Sequence, residues 1–297
     1  MIDAEVPEFV AGLGLPGLVD LHLHFLPDPV QRKVWEFFDR AAQEYGTDWP
    51  IHYRLPADER LRVLRELGVV TFAPLVYPHK PNMAAWLNAW VRDFAAATPE
   101  AVPTATFFAE PGAGEYLAEA LDKGARCVKS HVQVGAYDPR DPLLDPVWGQ
   151  LAEARVPVVI HCGHGPVPGK FTGLDVFEDV LRRHPRLVAV LAHAGAPEFD
   201  LALDLVDRHP GVYLDTTMVG VPFNRADERL PTDWAARLAG IADRVALGTD
   251  FPSIPYDYAV QLDAIVGWAA ADDRLGDAFL RAVFWDTPRR LLGLDSP

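Results

Sequence analysis

"GLVDLHLHFLP", residues 17–27, is an apolar run that carries two histidines two positions apart. Valine and leucine alternate in it with Asp20, His22 and His24, and this period of two is typical of a β-strand. Side chains two residues apart in a strand point to the same side, so the run predicts a strand with both imidazoles on one face. Burying two imidazoles without polar partners is costly, so we expect them to share a partner.

Seven further apolar runs rich in valine, isoleucine and leucine follow along the chain. The eight predicted strands are 18–24, 69–75, 102–108, 126–132, 156–162, 187–193, 212–217 and 245–251. Amphipathic segments separate most of them and predict helices at 58–67, 115–123, 147–154, 173–183 and 233–241. The alternation of strands and helices predicts a parallel sheet, and its regular spacing up to eight units favours a single-domain (β/α)₈ TIM barrel over a doubly wound sheet.

The segment between the first two predicted strands is longer than the later connections and is rich in aromatic residues. It covers residues 25–68 and contains Trp35, Phe37, Phe38, Tyr45, Trp49 and Tyr53. It leaves the carboxyl end of the first strand, which in a barrel is the active-site face. We therefore expect either a lid or wall over the substrate, or a helix on the barrel rim whose aromatic side chains pack into the core.

Composition limits the classes of partner. The chain has 297 residues, of which 42 are acidic and 27 basic, and its formal net charge is −15. It contains no Lys/Arg-rich run, so we expect neither nucleic acid nor an anionic membrane as a partner. No apolar run reaches the roughly 18 residues of a membrane helix. Cys127 and Cys162 lie in apolar runs, as reduced core thiols do, which predicts a cytoplasmic protein. We expect a single domain spanning 1–297 that acts on a small molecule. A homodimer is compatible with the sequence.

Polar side chains collect at the carboxyl ends of the predicted strands, which meet at one mouth of a barrel. His22 and His24 end the first strand, His161 the fifth, His193 the sixth and Asp250 the eighth. Neutral imidazoles together with a carboxylate form a ligand set for a divalent metal ion. Water at an open position of such an ion becomes a nucleophile near neutral pH. The pattern therefore predicts a metal centre.

Four stretches of the chain resemble the strand signatures of the amidohydrolase superfamily, and they occur in order: "VDLHLHFLP", "VPVVIHCGHG", "HPRLVAVLAHAG" and "VALGTDFP". They most resemble its amidohydrolase-related branch, which contains hydrolases and nonoxidative decarboxylases similar to aminocarboxymuconate-semialdehyde decarboxylase. The resemblance implies that four residues bind one divalent ion, with zinc as the expected metal: His22, His24, His161 and Asp250. It also implies that His193 is the general base or electrostatic partner of the activated water, and that Asp250 shuttles a proton.

Three further residues are candidate substrate contacts, namely Lys129 and His131 near the end of the fourth predicted strand and His164 after the fifth. Binuclear members of the superfamily carry a carboxylated lysine on that fourth strand. If Lys129 were carboxylated, a second ion would bind and His193 would become a ligand. The alternative is an unmodified Lys129 that pairs with Asp250 or binds a substrate carboxylate, and the other motifs fit this mononuclear arrangement better.

These observations favour a metal-dependent hydrolase that attacks the carbonyl carbon of an amide, lactone or other ester with activated water. The alternative is a metal-dependent nonoxidative decarboxylase that acts on an unsaturated or aromatic carboxylic acid at the same site. A third interpretation is a non-catalytic metal-binding barrel, and the complete ligand set argues against it.

Overall fold

Parallel strands form the centre of the computed structural model, which describes residues 1–223 and 229–294. The strands are β1 Leu18–Leu23, β2 Val69–Pro74, β3 Thr104–Thr106, β4 Cys127–His131, β5 Val158–His161, β6 Ala189–Leu191, β7 Val212–Asp215 and β8 Val245–Ala246. β1 pairs with β2, and β3 to β8 pair in chain order, with every pairing parallel. Each strand therefore presents its carboxyl end at the same edge.

Backbone hydrogen bonds join the two-stranded and six-stranded sheets on both sides. The amide of Leu21 in β1 donates to the carbonyl of Leu247, just after β8, at 2.9 Å. On the other side, the amide of Val102 donates to the carbonyl of Phe72 in β2 at 3.0 Å. These bonds complete the (β/α)₈ barrel that the spacing of the apolar runs predicts.

Helices surround the barrel and fill several of its loops. In the described part of the chain they are α1 Val6–Gly12, α2 Asp28–Phe38, α3 Ala41–Tyr45, α4 Ala57–Glu66, α5 Ala84–Ala97, α6 Ala113–Asp122, α7 Val132–Gly135, α8 Asp145–Ala154, α9 Leu174–Arg183, α10 Phe199–Arg208, α11 Trp234–Leu238, α12 Tyr258–Ala270, α13 Gly276–Arg281 and α14 Thr287–Leu291. The five helices expected from amphipathic patterns correspond to α4, α6, α8, α9 and α11. Their ends agree with the prediction to within two residues, except that α11 ends three residues early.

Helix α9 shows why such segments are helical. Leu174, Phe177, Val180 and Leu181 recur at spacings of three and four residues, and all four are buried. Their apolar face packs into the main core, while arginines occupy the last turn, where positive charge interacts favourably with the helix dipole.

The insertion after β1 is anchored by a buried cation. Arg60 of α4 is 1% exposed and lies 4.9 Å from the ring centre of Phe25 and 5.7 Å from that of Trp35. It also donates to the side-chain oxygen of Gln31 in α2 at 3.0 Å. Burial lowers the pKa of Arg60 to about 10. The guanidinium thus holds α4 against Trp35 and Gln31 of α2 and against Phe25, which precedes α2.

The remaining core follows the prediction. Cys127 and Cys162 are free thiols buried in the apolar core. Burial raises the pKa of Cys127 to about 12, which makes it an inert core residue. Among the described residues, no helix is both long and apolar enough to cross a membrane.

Candidate active site

A cavity of about 960 Å³ opens at the carboxyl ends of the strands. Its inner end is lined by most of the polar residues singled out from the sequence: His22, His24, Lys129, His131, His161, His193 and Asp250. The barrel topology thus brings together side chains from positions 22 to 250 of the chain.

His22 at the end of β1 is held by a buried carboxylate. Its Nδ1 lies 2.8 Å from Oδ2 of Asp215, at the end of β7, and both side chains are almost fully buried. A carboxylate accepts a hydrogen bond from this nitrogen, so Nδ1 carries the proton and Nε2 keeps its lone pair. Burial, reinforced by the nearby Lys129, holds the pKa of His22 well below its usual range. The ring is therefore a neutral nitrogen donor.

In three other histidines of the cavity, one ring nitrogen donates a hydrogen bond to a backbone carbonyl oxygen, which can only accept. The pairs are His24 Nδ1 with Leu75 O at 2.8 Å, His161 Nε2 with Gly165 O at 2.9 Å, and His193 Nδ1 with Thr217 O at 3.1 Å. The second nitrogen of each ring is therefore left with a lone pair. Such second-nitrogen hydrogen bonds are typical of metal-binding histidines.

Asp250 brings an oxygen ligand to these nitrogens. Its Oδ1 lies 2.8 Å from Nε2 of His24 and 3.6 Å from Nε2 of His22, and the potential ligand atoms of the three residues all lie within 4.8 Å of one another. Burial raises the pKa of Asp250, but the neighbouring His24, His22 and His193 outweigh it and hold the pKa well below its ordinary value. An ionised carboxylate thus faces imidazole lone pairs, a contact that needs a proton or a cation between the partners. A divalent ion fits this donor set.

His161 is not part of that group of three, although it lines the same cavity. Its ring centre lies 4.7 Å from that of His193, whose ring centre lies 5.5 Å from that of His22. His161 as a metal ligand and His193 as the base remain predictions, with both rings placed beside the three-residue group.

The local backbone at two of these residues differs from the prediction. We expected His193 and Asp250 to end strands, but both lie in turns with positive φ, of 56° and 65° respectively. The turn lets the backbone N–H of His193 donate to Oδ1 of Asp215 at 2.8 Å. Likewise, the backbone N–H of Asp250 donates to the carbonyl of His22 at 2.8 Å. These bonds stabilise a backbone conformation that non-glycine residues seldom adopt.

Lys129 of β4 is fully buried, and its Nζ lies 2.7 Å from Nε2 of His22. Burial lowers the pKa of Lys129 to about 8, while the negative charges of Asp250 and Asp215 oppose this shift. The amine therefore contacts the same histidine nitrogen that lies close to Asp250. The alternatives of an unmodified and a carboxylated Lys129 both remain predictions.

The other two candidate substrate contacts lie in different surroundings. His131 lines the cavity and stacks on His161, with ring centres 4.2 Å apart. His164 is not among the cavity-lining residues, and its Nδ1 lies 2.7 Å from Oε2 of Glu198. Both residues as substrate contacts remain predictions, with His131 inside the cavity lining and His164 outside it.

Sequence reasoning left two buried carboxylates without a role. Asp215 positions both His22 and His193, and its place at the end of β7, beside the other polar strand ends, was the signal for it. Asp20 accepts hydrogen bonds from Thr249 Oγ1 at 2.6 Å and from the hydroxyl of Tyr258 at 3.0 Å. Burial raises the pKa of Asp20 to about 7. No spacing in the sequence indicates this second cluster.

The outer part of the cavity is formed largely by the insertion after β1. Phe37, Phe38, Tyr45 and Trp49 line it, whereas Tyr53 is buried in the core. The aromatic residues of the segment therefore divide between the cavity lining and the core. Whether the segment moves as a lid remains a prediction.

Comparison with known sequences assigns the class of protein. The sequence profile of an amidohydrolase family matches residues 19–294, nearly the whole chain. The chain therefore belongs to this amidohydrolase family, as its four strand motifs predict. None of the curated proteins compared with the chain matches it.

Three solved structures share the fold across almost their whole length. A TIM-barrel protein from Bordetella bronchiseptica is 20% identical, with a TM-score of 0.68 over 93% of this chain and 98% of that one. An amidohydrolase from Burkholderia multivorans with bound zinc is 16% identical, with a TM-score of 0.61 over 93% and 99%. A 5-carboxyvanillate decarboxylase from Sphingomonas paucimobilis is 15% identical, with a TM-score of 0.60 over 94% and 99%. At these identities the likeness shows the fold.

Proposed function

We propose that this protein is a metal-dependent hydrolase that cleaves an amide, lactone or other ester with an activated water. The observation that carries the proposal is the contact between Asp250 Oδ1 and Nε2 of His24 at 2.8 Å. The carbonyl of Leu75 holds the proton of His24 on its other nitrogen, so a cation accounts for the contact.

His22, His24 and Asp250 would hold this cation, with His161 as the further ligand that the family resemblance implies. A divalent ion bound there supplies positive charge that polarises a carbonyl oxygen and makes water more acidic. The solved amidohydrolase with bound zinc supports zinc as the first ion to test.

The chain's own residues would orient and move protons around the reacting carbonyl. His193 keeps a lone pair on Nε2, because Nδ1 donates to the carbonyl of Thr217, so it is able to accept a proton from water. Its backbone is fixed by Asp215, which limits the positions that the ring can take. Asp250, which is ionised at rest and whose side chain is 16% exposed, would take up a proton released by the attacking water and pass it to the leaving group.

A second candidate is nonoxidative decarboxylation, which the buried amine of Lys129 favours. A fully buried amine beside the histidines is suited to bind a substrate carboxylate. Lys129 would then hold the carboxylate that leaves, and a neighbouring histidine would deliver the proton to carbon.

One experiment separates the two reactions. The zinc-loaded protein is incubated in ¹⁸O-labelled water with a panel of lactones and aryl esters, and separately with a panel of aromatic carboxylic acids. Hydrolysis places the label in the carboxylic acid product, whereas decarboxylation releases carbon dioxide and leaves the remaining organic product without label. His193→Ala should slow the reaction by about 10²–10⁴-fold, and His184→Asn, outside the cavity lining, should retain it. Labelled acid that forms equally fast with His193→Ala would exclude His193 as the base, and carbon dioxide release with no labelled acid from any ester or lactone would exclude the proposed hydrolysis.

A further inference from the structure

The outer part of the cavity, away from the histidines, has an apolar wall made largely of aromatic side chains. Five aromatic side chains line it, and all five are only partly buried: Phe37, Phe38, Tyr45, Trp49 and Phe223. The first four belong to the insertion, and Phe223 lies in the loop after β7. We call these five residues the aromatic wall.

The rings of the aromatic wall form a continuous surface. The ring centres of Phe38 and Trp49 lie 5.1 Å apart, and those of Trp49 and Phe223 lie 4.9 Å apart. Phe37 meets Tyr45 edge-on at 5.6 Å. These distances are in the favourable range for aromatic pairs, so the wall has a defined shape.

A hydrogen bond attaches the wall to the reacting end of the cavity. The indole N–H of Trp49 donates to the carbonyl of Ser253 at 2.7 Å. The backbone N–H of Ser253 in turn donates to the carbonyl of Asp250 at 3.0 Å. The aromatic wall is thus held at a fixed position relative to the carboxylate.

Apolar residues also stand on other sides of the cavity. Trp86 of α5 is 49% exposed and Val134 of α7 is 38% exposed, and both line the cavity. Exposed apolar surface gathered around a cavity is typical of a ligand-binding site. A volume of about 960 Å³ is at the upper end of the range that accepts drug-sized ligands.

The charged side chains at the rim leave only a small positive excess. Lys33 pairs with Glu36 at 2.6 Å, Arg40 and Glu44 carry opposite charges, and Lys80 adds one positive charge to the cavity lining. The larger part of the cavity lining is apolar.

We propose that the aromatic wall is a binding compartment for a large apolar group of the substrate, whose reacting carbonyl lies at the histidine end. This inference rests on the proposed hydrolase function and specifies the class of its substrates, which are esters or lactones with a bulky alkyl or aryl body. Small polar esters would leave the compartment unfilled.

Binding is measured by titration calorimetry of the zinc-loaded full-length protein with butanoate, hexanoate, octanoate and decanoate. Each acid carries the same head group, so differences report on the chain alone. Burying one methylene group tightens binding roughly threefold to fourfold, and we expect the dissociation constants to fall by about this factor per methylene up to decanoate. The heat-capacity change should become more negative along the series, as apolar burial requires.

Variants locate the effect in the aromatic wall. Phe37→Ala and Phe38→Ala should weaken decanoate binding about tenfold or more and leave butanoate within twofold. Trp86→Ala changes a half-exposed residue of the cavity lining outside the aromatic wall and should weaken decanoate binding less than Phe37→Ala or Phe38→Ala does. Arg32→Ala, on the same helix α2 but outside the cavity lining, is the matched control and should bind as the parent does.

A flat affinity series, or a series whose slope is unchanged in both Phe37→Ala and Phe38→Ala, would overturn the inference. Failure of the proposed hydrolase function gives a different result, because binding of these acids involves no turnover. If the protein hydrolyses no ester but its affinity rises with chain length, the hydrolase proposal fails and the binding compartment stands. If it hydrolyses short esters but its affinity does not change with chain length, the binding compartment is wrong.

Discussion

Asp215 and His22 are joined across the barrel, with Oδ2 of the carboxylate 2.8 Å from Nδ1 of the imidazole. The other carboxylate oxygen accepts the backbone N–H of His193 at 2.8 Å. One buried side chain therefore sets both the tautomer of a predicted ligand and the backbone position of the predicted base. This arrangement makes Asp215 a positioning residue for the whole site.

Asp215→Asn should lower zinc affinity by about 10–100-fold, because a neutral amide raises the basicity of His22 less than the carboxylate does. Zinc affinity is measured by competition with a chromogenic chelator, which is independent of turnover. Asp207→Asn on helix α10, outside the cavity lining, is the control for losing one carboxylate. Unchanged zinc affinity in Asp215→Asn would show that the contact with His22 has no part in metal binding.

His24→Ala should lose most of the bound metal, whereas His193→Ala should keep it and lose activity by about 10²–10⁴-fold. The difference follows from geometry, since His24 belongs to the group of three ligand atoms and His193 lies beside it. Metal content per chain, measured by plasma mass spectrometry, checks both variants. If His193→Ala also emptied the site, His193 would be a ligand and the mononuclear assignment would be wrong.

The amine of Lys129 predicts one metal ion per chain. Its Nζ is fully buried and lies 2.7 Å from Nε2 of His22, so an unmodified amine already has a hydrogen-bond partner there without a second ion. Native mass spectrometry should show a single zinc ion per chain and an unmodified Lys129. Two ions together with a carboxylate adduct on Lys129 would instead support the binuclear arrangement.

The barrel was predictable because its signal is repeated. Each buried parallel strand is a short run of valine, isoleucine and leucine, and repetition makes the pattern robust even where one boundary is uncertain. The residues at the strand ends followed from the same rule, since parallel strands place their carboxyl ends at one edge. His22, His24 and Asp250 accordingly come together in the structure.

The turns at His193 and Asp250 were not predictable in the same way. Their positive φ values arise from hydrogen bonds to Asp215 and to the carbonyl of His22, which are partners far away in the sequence. The split within the insertion has a similar origin, because Tyr53 is buried and Phe37 lines the cavity although both lie in one aromatic-rich stretch. Local patterns carry no information about which neighbour each ring meets.

Stability towards acid should depend on Glu178 in helix α9. Its carboxylate contacts three cationic or titratable groups, namely Arg182 at 2.6 Å, Arg208 at 3.0 Å and His209 at 3.3 Å. Burial raises the pKa of Glu178, but hydrogen bonds from His209 and Arg208 outweigh it and leave the pKa below its ordinary value of 4.5. The stabilisation is therefore present above the unfolded-state pKa and is lost as the pH falls through the folded-state value.

Glu178→Gln should lower the free energy of unfolding by about 1–2 kcal/mol near neutral pH. The difference from the parent should shrink at a pH below about 4, where the parent carboxylate becomes protonated. Urea unfolding followed by circular dichroism at the two pH values measures it. Glu66→Gln, whose partner Arg62 is equally exposed, should change stability by less than about 0.5 kcal/mol. A Glu178→Gln difference that is independent of pH would contradict the ionic origin of the effect.

Trp49→Phe should loosen the insertion without removing its aromatic surface. The substitution keeps a ring near Phe38 and Phe223 but removes the N–H that donates to the carbonyl of Ser253 at 2.7 Å. Because this bond links the insertion to the loop that carries Asp250, backbone amides of α2 and α3 should exchange hydrogen faster, by about fivefold to tenfold for a lost bond of roughly 1 kcal/mol. Hydrogen-exchange mass spectrometry of peptides covering residues 28–49 measures this, and Trp86→Phe on helix α5 is the matched tryptophan control. Unchanged exchange in Trp49→Phe would show that ring packing alone, and not the hydrogen bond to Ser253, holds the insertion over the cavity.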